Sequence, residues 1–265
     1  MRILLASLLV CSAAQVASAS IQLDFGKFAA SELPAGPLNT PQGERGYGFG
    51  APITINGVGL DLYAWNTTNA TTGPPLTSQV LSTSVDTANF TRGGTPTQGG
   101  SNNAGPYAYL DGRSSGRLGG LGASQELTGS FQADPSSDDN VSGVGSITNG
   151  REVVGMIFAS SATIDVLSFR DLDHYADRFT STNLIDVTFD SGNTWETISP
   201  SSVDGTYDFG GRLVSQGDIF GLAFNNTQFY LTSAAINVVP EPLAVFTWFG
   251  LASIGGIMIK RFKQG

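Results

Sequence analysis

The sequence predicts an all-β protein, an antiparallel β-sandwich of the jelly-roll type, followed by a single C-terminal transmembrane helix. Nearly a dozen short runs alternate between apolar and polar residues, and turn-forming residues separate them at even spacing. This pattern is typical of an antiparallel sandwich. The chain then closes with seventeen uncharged residues, 243–259, and a basic tail.

The first part of the body contains a few predicted strands between long loops. Residues 21–25 and 58–65 alternate regularly, so each run predicts a strand with one apolar face. Asn56-Gly57 is a strong hairpin signal and is expected to join the second of these strands to residues 51–55. The remaining residues are rich in Gly, Pro, Thr and Asn, which predicts loops over 31–50 and 66–106 with one short strand at 79–85.

The second part of the body is more clearly patterned. Residues 151–158 and 163–169 are expected to pair with each other around a short turn at 159–161. Gly210-Gly211 predicts a compact hairpin between two three-residue strands that flank it. The other expected strands are 127–131, 184–189 with 194–198 around a turn at 190–193, and 218–224 with 229–239 around a turn at 225–227.

Composition limits the partners of the body. Residues 20–239 contain nine Lys/Arg and twenty-one Asp/Glu, so their formal charge is 9 − 21 = −12. Because phosphate binding needs a positive surface, a nucleic-acid partner is not expected. The body has no cysteine, since Cys11 is the only one in the chain, and its core must therefore hold the fold without a disulfide.

The uncharged run near the C-terminus has the length of a membrane span. Seventeen residues of helix rise about 25 Å, which is a short but sufficient length for a bilayer. Trp248 lies within the run, and Lys260, Arg261 and Lys263 follow it directly. Basic residues next to a span stay on the cytoplasmic side, so everything before Pro240 is expected outside the inner membrane.

Pro240, Glu241 and Pro242 precede this span and form an extended spacer, because each proline disfavours helix in the residue before it. The Pro-Glu-Pro, one apolar helix, a basic cluster and the end of the chain resemble the PEP-CTERM sorting signal. The resemblance implies recognition by exosortase, a membrane protease-transpeptidase, and origin in a Gram-negative bacterium. It divides the chain into an ectodomain at 20–236 and a sorting signal at 237–265.

The N-terminus agrees with export. A positive start at Arg2, an apolar run and a small-residue site at Ala17-Ser18-Ala19 indicate a secretory signal peptide over 1–19, with Ser20 as the first mature residue. The expected precursor is thus a single-pass inner-membrane protein. Processing would then deliver it to the cell surface or the extracellular matrix.

No recognisable catalytic constellation occurs in the body. His174 is the only histidine and is expected in a surface loop after a strand. Acidic pairs at 138/139, 171/173 and 186/190 leave open a glycan-active hydrolase that uses two carboxylates. The preferred alternative is a non-enzymatic structural or carbohydrate-binding module, with exopolysaccharide as a candidate partner.

Two further binding sites are suggested by residue type. Asp138, Asp139, Asp171 and Asp173 lie in oxygen-dense segments, and oxygen ligands on sandwich loops are what calcium prefers, so calcium is a candidate cofactor. Tyr63 and Trp65 share the face opposite the apolar one and could stack on a sugar ring. The competing interpretation is that these two rings belong to the second buried face of a sandwich strand.

Overall fold

The computed structural model describes residues 20–27, 45–47, 51–67, 90–92, 103–114, 117–127, 140–143 and 151–239. These residues form sixteen strands and one short helical turn at 25–27. In chain order the strands are β1 Ile21–Asp24, β2 Arg45–Tyr47, β3 Ala51–Ile55, β4 Val58–Thr67, β5 Phe90–Arg92, β6 Asn103–Leu110, β7 Arg113–Ser114, β8 Arg117–Leu118, β9 Leu121–Leu127, β10 Arg151–Phe158, β11 Ala162–Arg170, β12 Ile185–Thr188, β13 Glu196–Ile198, β14 Thr206–Val214, β15 Phe220–Phe224 and β16 Tyr230–Val238.

Two seven-stranded antiparallel sheets hold almost all of these strands. The first sheet has the order β14-β11-β16-β9-β6-β2, with β1 also paired to β16. The second has the order β13-β12-β15-β10-β4-β3, with β5 also paired to β4. Strands β7 and β8 form a separate two-stranded ribbon. The predicted all-β class with antiparallel sheets is therefore confirmed for the described residues.

The two sheets share one apolar core, the arrangement of a β-sandwich. Leu62 and Met156 of the second sheet belong to the same buried cluster as Leu167 and Ile236 of the first. Strand β10 is buried on both faces, because Val154, Met156 and Phe158 enter this core while Val153 lies in a second apolar cluster on the outer face. That outer face is where the candidate site lies.

Strand β16 occupies a central place in the first sheet. It pairs along its length with β11 on one side. On its other side, β1 pairs with residues 233–236 and β9 with Leu231. The first and the last described strands of the body are thus neighbours, with Ile21 opposite Ile236.

Two hairpins predicted from turn signals are confirmed. Asn56 and Gly57 both have positive φ, 50° and 81°, and they join β3 to β4 as a two-residue turn of this kind requires. Strands β12 and β13 pair around residues 189–195. Both turns contain turn-forming residues, Asn56-Gly57 and Asp190-Ser191-Gly192-Asn193, and this explains why the sequence alone predicted them.

The predicted pairing of residues 151–158 with 163–169 is wrong, because the chain changes sheets between β10 and β11. The connecting residues bond to both sheets: Ala159 donates its backbone N–H to the Gly59 carbonyl, and the Ser161 carbonyl accepts from Val239. Strands β15 and β16 likewise lie in different sheets. Alternation marks where a strand is but not which strand it pairs with.

The predicted hairpin at Gly210-Gly211 is also wrong, since residues 206–214 form one strand, β14. Both glycines have positive φ, 63° and 89°. The register against β11 shifts there, from Ile164 opposite Arg212 to Val166 opposite Asp208. The two glycines therefore form a β-bulge in an edge strand instead of a turn.

Candidate functional site

The predicted targeting segments lie outside the described residues. These are the signal peptide at 1–19, the sorting motif Pro240-Glu241-Pro242, and the anchor with Trp248, Lys260, Arg261 and Lys263. Among the residues that the structure describes, no helix is long and apolar enough to cross a membrane. The predicted strand at 79–85 and the greater part of the one at 127–131 are also outside them.

The Asp171–Asp173 segment forms a tight turn after β11. One Asp171 carboxylate oxygen accepts the backbone N–H groups of Asp173 and Tyr175, at 3.0 and 2.7 Å. The Arg178 guanidinium contacts the Asp173 carboxylate at 2.5 Å and lies 3.9 Å from that of Asp171. A cationic side chain of the protein thus lies between the two carboxylates.

No group of three metal-ligating carboxylates, histidines or cysteines forms in the described part of the chain. Asp138 and Asp139, the other half of the predicted calcium set, lie outside it. Calcium binding by these four aspartates stays a prediction.

Tyr63 and Trp65 are packed into the outer face of the second sheet. The Trp65 side chain is 0% exposed and Tyr63 only 7%, and their rings stack 5.6 Å apart and nearly parallel. Val153, Ile219 and Ala223 complete this cluster. The two rings therefore belong to a second buried face of strand β4, which was the alternative to a sugar-stacking surface.

Gly155 of β10 makes room for the Trp65 ring. A Cβ atom at this position would lie 3.0 Å from Trp65 Cζ3 and 3.0 Å from the Phe220 carbonyl oxygen. Any side chain would push against both a ring and a backbone group, so the glycine allows the indole to lie close over the sheet.

Beside this aromatic cluster lies a buried polar group that we call the Arg151 cluster, formed by Arg151, Asp186, Trp195, Thr197 and Asn225. Arg151 is 2% exposed, and its guanidinium makes a short ion pair with the Asp186 carboxylate. The other Asp186 oxygen accepts hydrogen bonds from the Thr197 hydroxyl at 2.7 Å and the Asn225 amide at 3.0 Å. The Asp186 carboxylate is thus stabilised by one ion pair and two hydrogen bonds.

Strand register explains how this cluster forms. Val153, Ala223 and Asp186 lie side by side across β10, β15 and β12. Because the middle residue is a small alanine, the long Arg151 side chain, two positions from Val153, can reach across β15 to Asp186. The apolar methylene groups of Arg151 can lie over the apolar surface of β15 while its guanidinium reaches the Asp186 carboxylate.

Trp195 covers one side of the Arg151 guanidinium, whose Cζ lies 5.2 Å from the ring centroid. The Arg151 Nε–H and the Trp195 Nε1–H are buried, and neither has a hydrogen-bond partner among the residues that the structure describes. Trp195 is itself only partly buried, and Thr197 and Asn225 are exposed. The cluster therefore reaches from the sheet to the surface.

His174 lies at a different site, on the outer side of the first sheet. It is 8% exposed, its Nε2 lies 3.2 Å from the Asp111 carboxylate, and its ring stacks on Tyr230 at 4.7 Å. Its φ of 66° is a conformation few non-glycine residues adopt. The expectation of a surface-loop histidine is wrong, because the turn folds the ring inward onto Tyr230.

Gly119 shapes this second site. A Cβ there would lie 2.4 Å from the Asp111 carboxylate, so only glycine lets the chain pass this close. Tyr107 and Tyr109 line the neighbouring strand and are buried, at 3% and 0% exposed.

Tyr63 and Tyr107 stay neutral near pH 7. Burial raises the pKa of the Tyr63 phenol above its ordinary value of 10.0, and the Asp61 carboxylate raises it further. Burial also raises the pKa of Tyr107. Neutral phenols, an indole and a balanced Arg–Asp pair can donate hydrogen bonds, accept them and offer aromatic surface, which is the chemistry of binding.

Comparisons with protein-family models, characterised proteins and solved structures find no match. The chain's own geometry therefore carries the functional argument.

Sequence reasoning missed most of the Arg151 cluster. Arg151 and Asp186 are 35 positions apart and are not on adjacent strands. The one available signal was Asp186 in the middle of an apolar strand, where a carboxylate needs a partner once buried.

Proposed function

We propose that this chain is an exported surface protein of a Gram-negative bacterium, held in the inner membrane as a precursor and processed by exosortase at its PEP-CTERM signal. Its body is a jelly-roll ectodomain that is structural or carbohydrate-binding in the cell surface or extracellular matrix. Exopolysaccharide is the partner that the second role implies.

The positions of the folded ends are the observation that carries this proposal. Strand β1 begins at Ile21, directly after the predicted first mature residue Ser20, and β16 ends at Val238, two residues before Pro240. The first and the last described strands therefore lie directly inside the two predicted processing sites. Neither cut would remove a residue of a described strand.

Both ends also leave the sandwich on the same side, because β1 and β16 are antiparallel neighbours. Four residues, 239–242, separate β16 from the apolar run. An extended chain of this length spans about 17 Å, so the ectodomain lies close outside the membrane before processing. The Pro-Glu-Pro lies within this short spacer, where a membrane protease can reach it.

Strand order supports the jelly-roll assignment. Strands β9, β16, β11 and β14 are consecutive neighbours in the first sheet, as are β10, β15, β12 and β13 in the second. The chain alternates between the sheets along these eight strands except at the β12–β13 hairpin. Eight strands in two such sheets are the plan of a jelly roll, an architecture that includes lectin domains.

The hydrolase alternative receives no comparable support from the described acidic pairs. Asp171 and Asp173 are engaged by backbone N–H groups and Arg178. Asp186 is paired with Arg151, and Asp190 caps its own turn through Thr194. These carboxylates are therefore engaged by structural partners within the fold.

Processing is tested by replacing both prolines of the motif, Pro240→Ala with Pro242→Ala, in the full chain. The expected result is an unprocessed form of larger mass that stays in the membrane fraction. Pro52→Ala, an exposed proline in β3, is the matched control and should be processed as the parent is. Identical mass and location for the double variant and the parent would contradict the proposal.

A further inference from the structure

We infer that the Arg151 cluster is a binding site for a neutral glycan, with Trp195 and Arg151 as the donors that fix a sugar oxygen. The inference rests on the proposed surface role and names the class of ligand and the residues that take it. It also moves the expected sugar contact from Tyr63 and Trp65, which are buried, to the partly exposed Trp195.

Two unfilled donors point to an oxygen ligand. The Arg151 Nε–H and the Trp195 Nε1–H are both buried and have no partner in the described part of the chain, and the guanidinium carbon is 5.2 Å from the indole centroid. A buried donor without an acceptor is unfavourable, because it has lost its water and gained nothing in return. A ligand oxygen that reached either group would supply the missing acceptor.

The surroundings of these donors fit a sugar ring. Thr197 and Asn225 are exposed at the rim, and each combines donor and acceptor groups that can bond to neighbouring hydroxyls. The partly exposed Trp195 supplies an aromatic surface of the kind against which the C–H groups of a sugar pack. Polar groups around one aromatic anchor are the usual composition of a small-molecule site.

Charge favours a neutral glycan over an acidic one. The positive charge of Arg151 is already balanced by Asp186, so the cluster offers no net positive charge. The body as a whole has a formal charge of −12, nine Lys/Arg against twenty-one Asp/Glu. Such a surface repels a polyanion, whereas a neutral hydroxyl can approach these donors without a charge penalty.

The test is calorimetric titration of the full chain, purified in detergent, with neutral hexasaccharides of glucose, xylose and mannose and with a hexauronate as the anionic comparison. We expect at least one neutral hexasaccharide to bind and the hexauronate to bind more weakly. Trp195→Phe keeps an aromatic ring, though a smaller one, removes the N–H and should weaken binding about tenfold. Trp248→Phe, a tryptophan in the predicted anchor, is the matched control and should leave the affinity unchanged.

A second variant guards against a folding defect. Asn225→Ala changes an exposed rim residue, and we expect weaker glycan binding in a variant that still unfolds cooperatively, with a melting temperature lowered only slightly by the lost hydrogen bond to Asp186. The inference is overturned if no neutral hexasaccharide binds, if the hexauronate binds best, or if Trp195→Phe binds as the parent does.

The processing assay separates this inference from the proposed function. A correctly processed chain that binds no neutral glycan overturns the glycan site alone. A chain that is never processed overturns the surface role, even where the titration shows binding.

Discussion

The last strand of the body should be indispensable for folding, and a truncation tests this directly. The comparison is between residues 20–239 and residues 20–229, which differ by β16 and Val239. Strand β16 has β11 on one side, and both β1 and β9 pair with its other side. Its loss therefore divides the first sheet. We expect the longer chain to fold alone and the shorter one to remain unfolded.

The size of the effect follows from burial. Tyr230, Leu231 and Ile236 of β16 are all at most 1% exposed. Burial of one such side chain contributes about 1.5–3 kcal/mol, so the three together contribute roughly 5–9 kcal/mol. A domain of this kind is typically stable by about 5–15 kcal/mol, and the lost strand pairing adds to the deficit. The truncation should therefore remove most or all of the stability.

Circular dichroism and urea denaturation measure the outcome. The longer chain should unfold cooperatively, and Ile236→Ala within it should lower the free energy of unfolding by about 2–5 kcal/mol. Leu213→Ala is the matched control, because this side chain is 53% exposed on the edge strand β14, and it should change stability by no more than about 0.5 kcal/mol. Cooperative unfolding of residues 20–229 at a similar urea midpoint would refute the reasoning.

Three further changes probe single sites by denaturation. Gly155→Ala should destabilise the domain by about 1–3 kcal/mol, since the new methyl meets the Trp65 ring at 3.0 Å, and an unchanged midpoint would contradict that packing. His174→Ala should cost about 1–3 kcal/mol, because buried Asp111 loses its polar neighbour and Tyr230 loses its stacking partner, and a loss below about 0.5 kcal/mol would place the ring outside the core. Burial raises the pKa of Asp190, but hydrogen bonds from its turn outweigh this and lower the pKa below the ordinary 3.8. Its ionised form therefore contributes stability that is present above that value and is lost as the pH falls through the folded-state pKa, so Asp190→Asn should be less stable at pH 7 and approach the parent in acid. A stability difference that stays constant from pH 7 to pH 2 would contradict this.

Local sequence information predicted much of the fold. The alternation in 58–65 located β4 and its core face, and Asn56-Gly57 located the turn before it, because both properties depend on near neighbours. The sheet to which each strand belongs depends on distant partners. The chain passes from β10 to β11 through three residues, a length that serves equally for a hairpin or for a change of sheet.

The candidate site was harder to predict for the same reason. Arg151 meets Asp186 across an intervening strand, and His174 meets Asp111 from a turn 63 positions later (174 − 111). Residue type predicted Tyr63 and Trp65 as candidate sugar contacts, but in the structure both side chains are buried. Whether an aromatic ring on the outer face of a strand reaches solvent depends on the residues from distant parts of the chain that pack over it, here Val153, Ile219 and Ala223.

The intact mass of the mature protein recovered from the cell surface or medium tests the central claim most directly. The proposal predicts a chain that begins at Ser20 and ends within or just after the Pro240–Pro242 spacer, without the apolar run. A full-length mass, or a folded body found in the cytosol and protected from protease added to spheroplasts, would contradict it.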